Sequence, residues 1–112
     1  MSAGEGDALS AERAAGLAQI EALTREFDEV VAASKASNAD DEHDPEGATI
    51  AFERQQVAAL LDQARRRLAD VDAAVTAVEA GTYGRCESCG RPIAAERLAA
   101  RPSARTCIDC AR

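Results

Sequence analysis

A mainly α fold, an antiparallel helical hairpin of the coiled-coil type followed by a small cysteine-bearing module, is predicted by three features of this 112-residue chain. Two apolar stripes with spacings of three, four and seven run through residues 10–81, a short polar turn separates them, and every cysteine falls between Cys86 and Cys110. Aromatic residues are limited to Phe27, Phe52 and Tyr83, and Ala is abundant, which favours helix packing over a β core.

Residues 1–9 are small and polar and are expected to be flexible. Ser10 is a candidate N-cap for the first helix, whose apolar positions are Leu17, Ile20, Leu23, Phe27, Val30 and Val31. The second stripe, Ile50, Val57, Leu61, Ala64, Leu68, Val71, Val75 and Val78, keeps a seven-residue repeat with one lapse, at Arg54. Its start is marked by Asp44 as N-cap and Pro45 at the first helical position, and its stop by Gly81. A connection as short as 36–47 brings the two stripes against one another within one chain, so a monomer is expected rather than an oligomeric coiled coil. Phe52 lies off the seam and is expected to pack on the loop, exposure to a partner being the alternative.

Charge is distributed unevenly. Residues 1–47 carry −9, residues 48–80 carry −1 and residues 81–112 carry +3, within a total of −7. The acidic focus is the turn, where Asp40, Asp41, Glu42, Asp44 and Glu46 crowd together; His43 among them reads as a solvated side chain. So acidic a first half repels phosphates and argues against wrapping nucleic acid, whereas a basic protein surface or cationic channel is a complementary partner. The N-terminal residues lack the pattern of a secretory signal, and no apolar run approaches membrane length, so a cytoplasmic protein without membrane association is expected.

In a reducing compartment, four cysteines at this spacing are metal ligands more readily than disulfides. Cys86-x-x-Cys89 and Cys107-x-x-Cys110 each offer two sulfurs from a tight knuckle, and the intervening loop can fold the pairs together around one tetrahedral Zn2+. Four thiolates leave no open coordination position, so the site is structural, and residues 82–112 form a small four-cysteine zinc finger in which metal replaces a core too small to stand alone. Gly90 supplies backbone freedom for the knuckle, and Arg85, Arg91, Arg105 and Arg112 are candidates to offset the thiolate charge. Thiol–disulfide chemistry lacks its usual βαβ setting here, while iron–sulfur ligation uses the same ligands. There is no nucleophile paired with a base, no phosphate-cradling glycine loop and no open metal position, and an enzyme is not expected. A zinc-dependent nucleic-acid-binding module dimerised by its coiled coil is the alternative, although the C-terminal arginines are not interleaved with aromatics.

The run YGRCESCGRPIAAERLAARPSARTCIDC, residues 83–110, resembles the zinc finger of the DksA/TraR family, down to Tyr83-Gly84 before the first thiol and Arg97-Leu98, Ala100 and Pro102 in the loop. Upstream the resemblance is architectural, an acidic-tipped helical hairpin preceding the finger. It implies a bacterial transcription regulator that binds RNA polymerase, inserts the hairpin into the secondary channel and does not bind promoter DNA sequence-specifically. One branch of the family carries Asp-x-x-Asp-x-Ala at its tip; Asp41 and Asp44 keep the first spacing, with Glu46 in place of the Ala. Aligned from the finger instead, Asp44-Pro45 matches the family's Asp-Pro and Gly47 falls near the second Asp. Residues for the nucleotide alarmone ppGpp are not carried over by the resemblance.

Overall fold

The computed structural model describes residues 3–38 and 45–111. They form helix α1 (Ala3–Asn38), helix α2 (Pro45–Ala80) and a short helix α3 (Ala95–Ala100). The chain is mainly α, a long helical hairpin followed by the cysteine module; the only pairing of extended backbone among the described residues is an isolated antiparallel bridge between Arg85 and Pro92. Each long helix has 36 residues, about 54 Å of helix at ~1.5 Å per residue. Two compact units are distinguished, Leu17–Arg66 and Met1–Gly16 with Arg67–Arg112. None of the described helices is long and apolar enough to cross a membrane.

Within the unit Leu17–Arg66, α2 buries Val57, Leu61 and Ala64, while Ile20, Leu23, Phe27, Val30 and Val31 of α1 are half-buried. Two seven-residue repeats of α2 therefore face inward, and Arg54, the lapse in the second of them, is exposed. Phe52 is 60% exposed, which corrects the expectation that it packs on the loop.

The other unit holds the junction of helices and cysteine module. Leu9, Val71 and Ala74 form its buried cluster, with Val75, Val78 and Tyr83 packed against them. The seam is antiparallel: Leu9 meets Val71 and Ala74, Arg13 Nε donates to Asp72 Oδ1 at 2.8 Å, and a Cβ on Gly16 would lie 3.7 Å from Leu68 Cδ1. α1 thus begins at Ala3 and not at Ser10, which is an exposed residue inside the helix. The inward register of α1 passes through Leu9, Gly16, Leu23 and Val30 at steps of seven, and Leu17, expected on the seam, is 42% exposed.

Pro45 is the first residue of α2, where its missing N–H costs nothing. At the other end Gly81, at φ 77°, closes the helix with a paired motif: its N–H reaches Val78 O at 3.2 Å, and the N–H of Thr82 reaches Ala77 O at 2.9 Å. The turn aims the chain into the cysteine module.

Candidate metal centre

The first knuckle is built by backbone bonds around Cys86. Its N–H donates to Arg91 O at 2.8 Å, and its carbonyl accepts from Gly90 N–H at 2.9 Å. Gly90 sits at φ 76°, a left-handed angle that a side chain would strain, so the chain reverses there at little cost. The bridge between Arg85 and Pro92 and the bond from Ile93 N–H to Gly84 O, 2.7 Å, fasten the base of the knuckle. In the second knuckle, Cys110 N–H donates to Cys107 O at 3.1 Å. Glu87 N–H donates to Arg105 O at 2.9 Å, which ties the two knuckle segments together.

The four Sγ atoms consequently lie within 4.8 Å of one another. Cys89 and Cys107 are 3.8 Å apart, sulfur to sulfur, and all four cysteines are free. A disulfide needs about 2.05 Å. A tetrahedral zinc with Zn–S near 2.3 Å places its sulfurs about 3.8 Å apart, the separation of Cys89 and Cys107, so this donor set suits the ion. Cys86 is buried, Cys107 and Cys110 are half-buried, and Cys89 is exposed.

Electrostatics point the same way. The Cys86 thiol is lowered to about 6, chiefly by the backbone N–H of Cys107, whereas Cys110 is pushed up to about 12 by its neighbours, first Cys107 and then Cys86. Four sulfurs this close cannot all ionise by themselves; a divalent cation removes that obstacle. Of the expected arginines, Arg91 bonds to Cys89 and is raised by the negative charge of Cys89 and Cys107. Arg85 instead donates to Gly90 O at 3.3 Å, and Arg105 spans Glu87 (2.8 Å) and Asp70 (3.1 Å). Arg112 lies outside the described residues.

Several supports were not anticipated from the sequence. Tyr83 OH donates to Pro102 O at 2.8 Å, and burial, followed by the charges of Glu5 and Glu12, raises its pKa and keeps the phenol protonated as a donor. Arg97 Nε donates to Thr106 O at 2.9 Å from α3, holding the loop beside the second knuckle. Ser103, itself buried, donates to Glu12 Oε1 at 3.1 Å and joins the module to α1. The tip residues Asp40, Asp41, Glu42 and Asp44 lie outside the described residues, as does the side chain of Glu46, whose backbone opens α2.

Two Cys-x-x-Cys knuckles closing four sulfurs into one cluster, carried on a helical hairpin, define a four-cysteine finger protein. Residues 81–112 match the model of the prokaryotic dksA/traR C4-type zinc finger. The module formed by residues 81–112 is thus a zinc finger of the DksA/TraR type. It is 42% identical over 69 residues to YteA of Bacillus subtilis, covering 62% of this chain and 29% of that protein. It is 43% identical over 49 residues to the RNA polymerase-binding transcription factor DksA of Escherichia coli, covering 44% of this chain and 32% of that one. The matches therefore span about a third of the length of these relatives. The structure of transcription factor DksA2 from Pseudomonas aeruginosa is similar with a TM-score of 0.52 at 26% identity, covering 90% of this chain and 78% of that chain.

Proposed function

We propose that this protein is a non-enzymatic transcription regulator that binds RNA polymerase and inserts its hairpin into the secondary channel. One Zn2+, held by Cys86, Cys89, Cys107 and Cys110, has a structural role. The observation that carries this reading is the joint presence, in one chain, of the family's finger and a hairpin whose turn concentrates Asp40, Asp41, Glu42, Asp44 and Glu46. The similarity to a relative named as an RNA polymerase-binding factor supports the partner. Acidic side chains delivered near a catalytic magnesium, or near basic elements that move around it, can change the stability of an initiation complex without making or breaking bonds. A nucleic-acid-binding finger is less well supported, because Arg85, Arg91, Arg97 and Arg105 are engaged within the finger unit. The burial of Val57, Leu61 and Ala64 within a single chain favours a monomer.

Binding and activity separate if affinity comes from the arms and finger while the effect on initiation comes from the turn. Asp41→Asn with Asp44→Asn removes two charges while keeping a capping side chain at position 44. This variant is expected to compete with the wild type for polymerase and to lose most of its effect in a purified transcription assay. Glu21→Gln with Glu26→Gln, changed on α1, is the matched control and is expected to do much less. Equal regulation by the tip variant and the wild type, or equal loss by both variants, overturns the channel mechanism.

Metal uptake has its own signature in pH. Cys86 is depressed and stays a thiolate above about pH 6, whereas Cys110, raised to about 12, holds a proton at neutral pH that zinc must displace. Zinc binding to metal-free protein at pH 7 is therefore expected to release protons, and affinity to fall as pH drops, more steeply below about 6 where Cys86 also takes up a proton. Titration calorimetry in buffers of different ionisation enthalpy measures the release; the same apparent enthalpy in every buffer contradicts it.

A further inference from the structure

Phe52 is a large apolar side chain left 60% exposed on α2, and Leu60, two turns further on, is 49% exposed. They are not isolated. At about 100° per residue, Phe52, Gln55, Gln56, Ala59, Leu60 and Gln63 share one arc of about 140°. All six are exposed and none is charged. The arc lies away from Val57, Leu61 and Ala64, which are buried, and the charged residues of this span, Glu53, Arg54 and Asp62, fall outside it. In a chain with 29% charged residues, an uncharged outer stripe with an aromatic at one end has the composition of an interface core, where charge is depleted and aromatic anchors are enriched.

The surrounding charge selects the occupant. Residues 17–66 carry eleven acids and five bases, a net −6. A second copy of this unit brings another −6, and nucleic acid or an anionic lipid surface is likewise repelled. A protein surface with an apolar pocket bordered by Lys and Arg matches both the stripe and its setting.

We propose that the outer face of α2 from Phe52 to Gln63 is a docking surface for a basic-rimmed protein partner, with Phe52 as its anchor and Leu60 as the second contact. This rests on the reading of RNA polymerase as the partner. It assigns affinity to a face of the hairpin distinct from the acidic turn, and the glutamines supply hydrogen bonds beside the apolar contacts.

The test is the variant Phe52→Ser with Leu60→Ser, made in the full chain and measured against purified core RNA polymerase. Because both residues are exposed, its urea midpoint is expected to match the wild type, while its affinity for polymerase falls roughly tenfold or more. Undiminished affinity overturns the docking face while leaving polymerase as the partner; failure of the wild type to bind polymerase overturns the functional reading and this proposal with it. A lowered urea midpoint shows that Phe52 packs on its own chain, and overturns it as well. Sedimentation of the free wild type and variant, and co-sedimentation with phosphatidylglycerol vesicles, cover the other occupants: self-association or vesicle binding lost in the variant reassigns the stripe to a second copy or to lipid.

Discussion

Replacing Cys86 by Ser is expected to release the metal and unfold most of residues 82–111 while leaving much of the helical signal in place. Cys86 is the most enclosed of the four clustered cysteines, 3% exposed, and backbone bonds on both sides of it shape the first knuckle. A serine hydroxyl is a poor zinc ligand at neutral pH, so three thiolates remain around an incomplete site. Structural zinc contributes about 10–16 kcal/mol of binding free energy to small finger modules. Beyond the metal, the module buries Ile93 and Ser103, and its one helix, α3, has six residues and buries none of them. Nothing of that size offsets loss of the ion. Metal analysis should fall from one zinc per chain to none, and amide exchange should accelerate across 82–111 while Leu61 and its neighbours stay protected. Retention of stoichiometric zinc by the variant, or protection unchanged across the finger, contradicts the assignment.

The second large effect is expected from Val71→Asp. Val71 is 2% exposed in the cluster with Leu9 and Ala74, and Val75, Val78 and Tyr83 surround that cluster. A carboxylate there must either ionise without a partner or take up a proton, and the valine's apolar burial is lost in both cases. The expected loss is on the order of 4 kcal/mol, a large share of what holds a chain this short together. Ala58→Asp, at an exposed position of the same helix, should stay within about 0.5 kcal/mol of the wild type. Urea unfolding followed by circular dichroism compares the three proteins. Equal midpoints for Val71→Asp and Ala58→Asp indicate that the junction contributes little to stability.

Helix α2 was legible because it satisfies several requirements at once. Asp44-Pro45 marks its start, Gly81 its end, and Ile50, Val57, Ala64, Val71 and Val78 recur at steps of seven; the described helix, Pro45–Ala80, agrees with the pattern. The cysteine cluster was legible for a related reason: two short-range pairs fix local knuckles, and one ion's geometry leaves a single way to combine them. Helix α1 was read less well. Gly16 occupies an inward position between Leu9 and Leu23, so the recognisable apolar stripe begins only at Leu17, and Ser10 has the chemistry of a cap just ahead of it. A small residue at a seam is recognised only when its neighbour is known, here Leu68.

By itself, then, the sequence determined the elements that depend on periodicity and local chemistry: two long helices, an acidic stretch of sequence between them and a four-thiol module after the second. Which side chains face inward at the junction was decided by tertiary packing. Leu9, rather than Leu17, closes the core because the antiparallel register sets it against Val71 and Ala74. Ser103 meets Glu12 across 91 residues, and Arg105 is drawn from the thiolates to Asp70 and Glu87. Such contacts join residues far apart in the chain, and no spacing rule encodes them. The exposure of Phe52 belongs to the same class, since its local pattern allowed either packing or solvent and only the position of the seam left it outward.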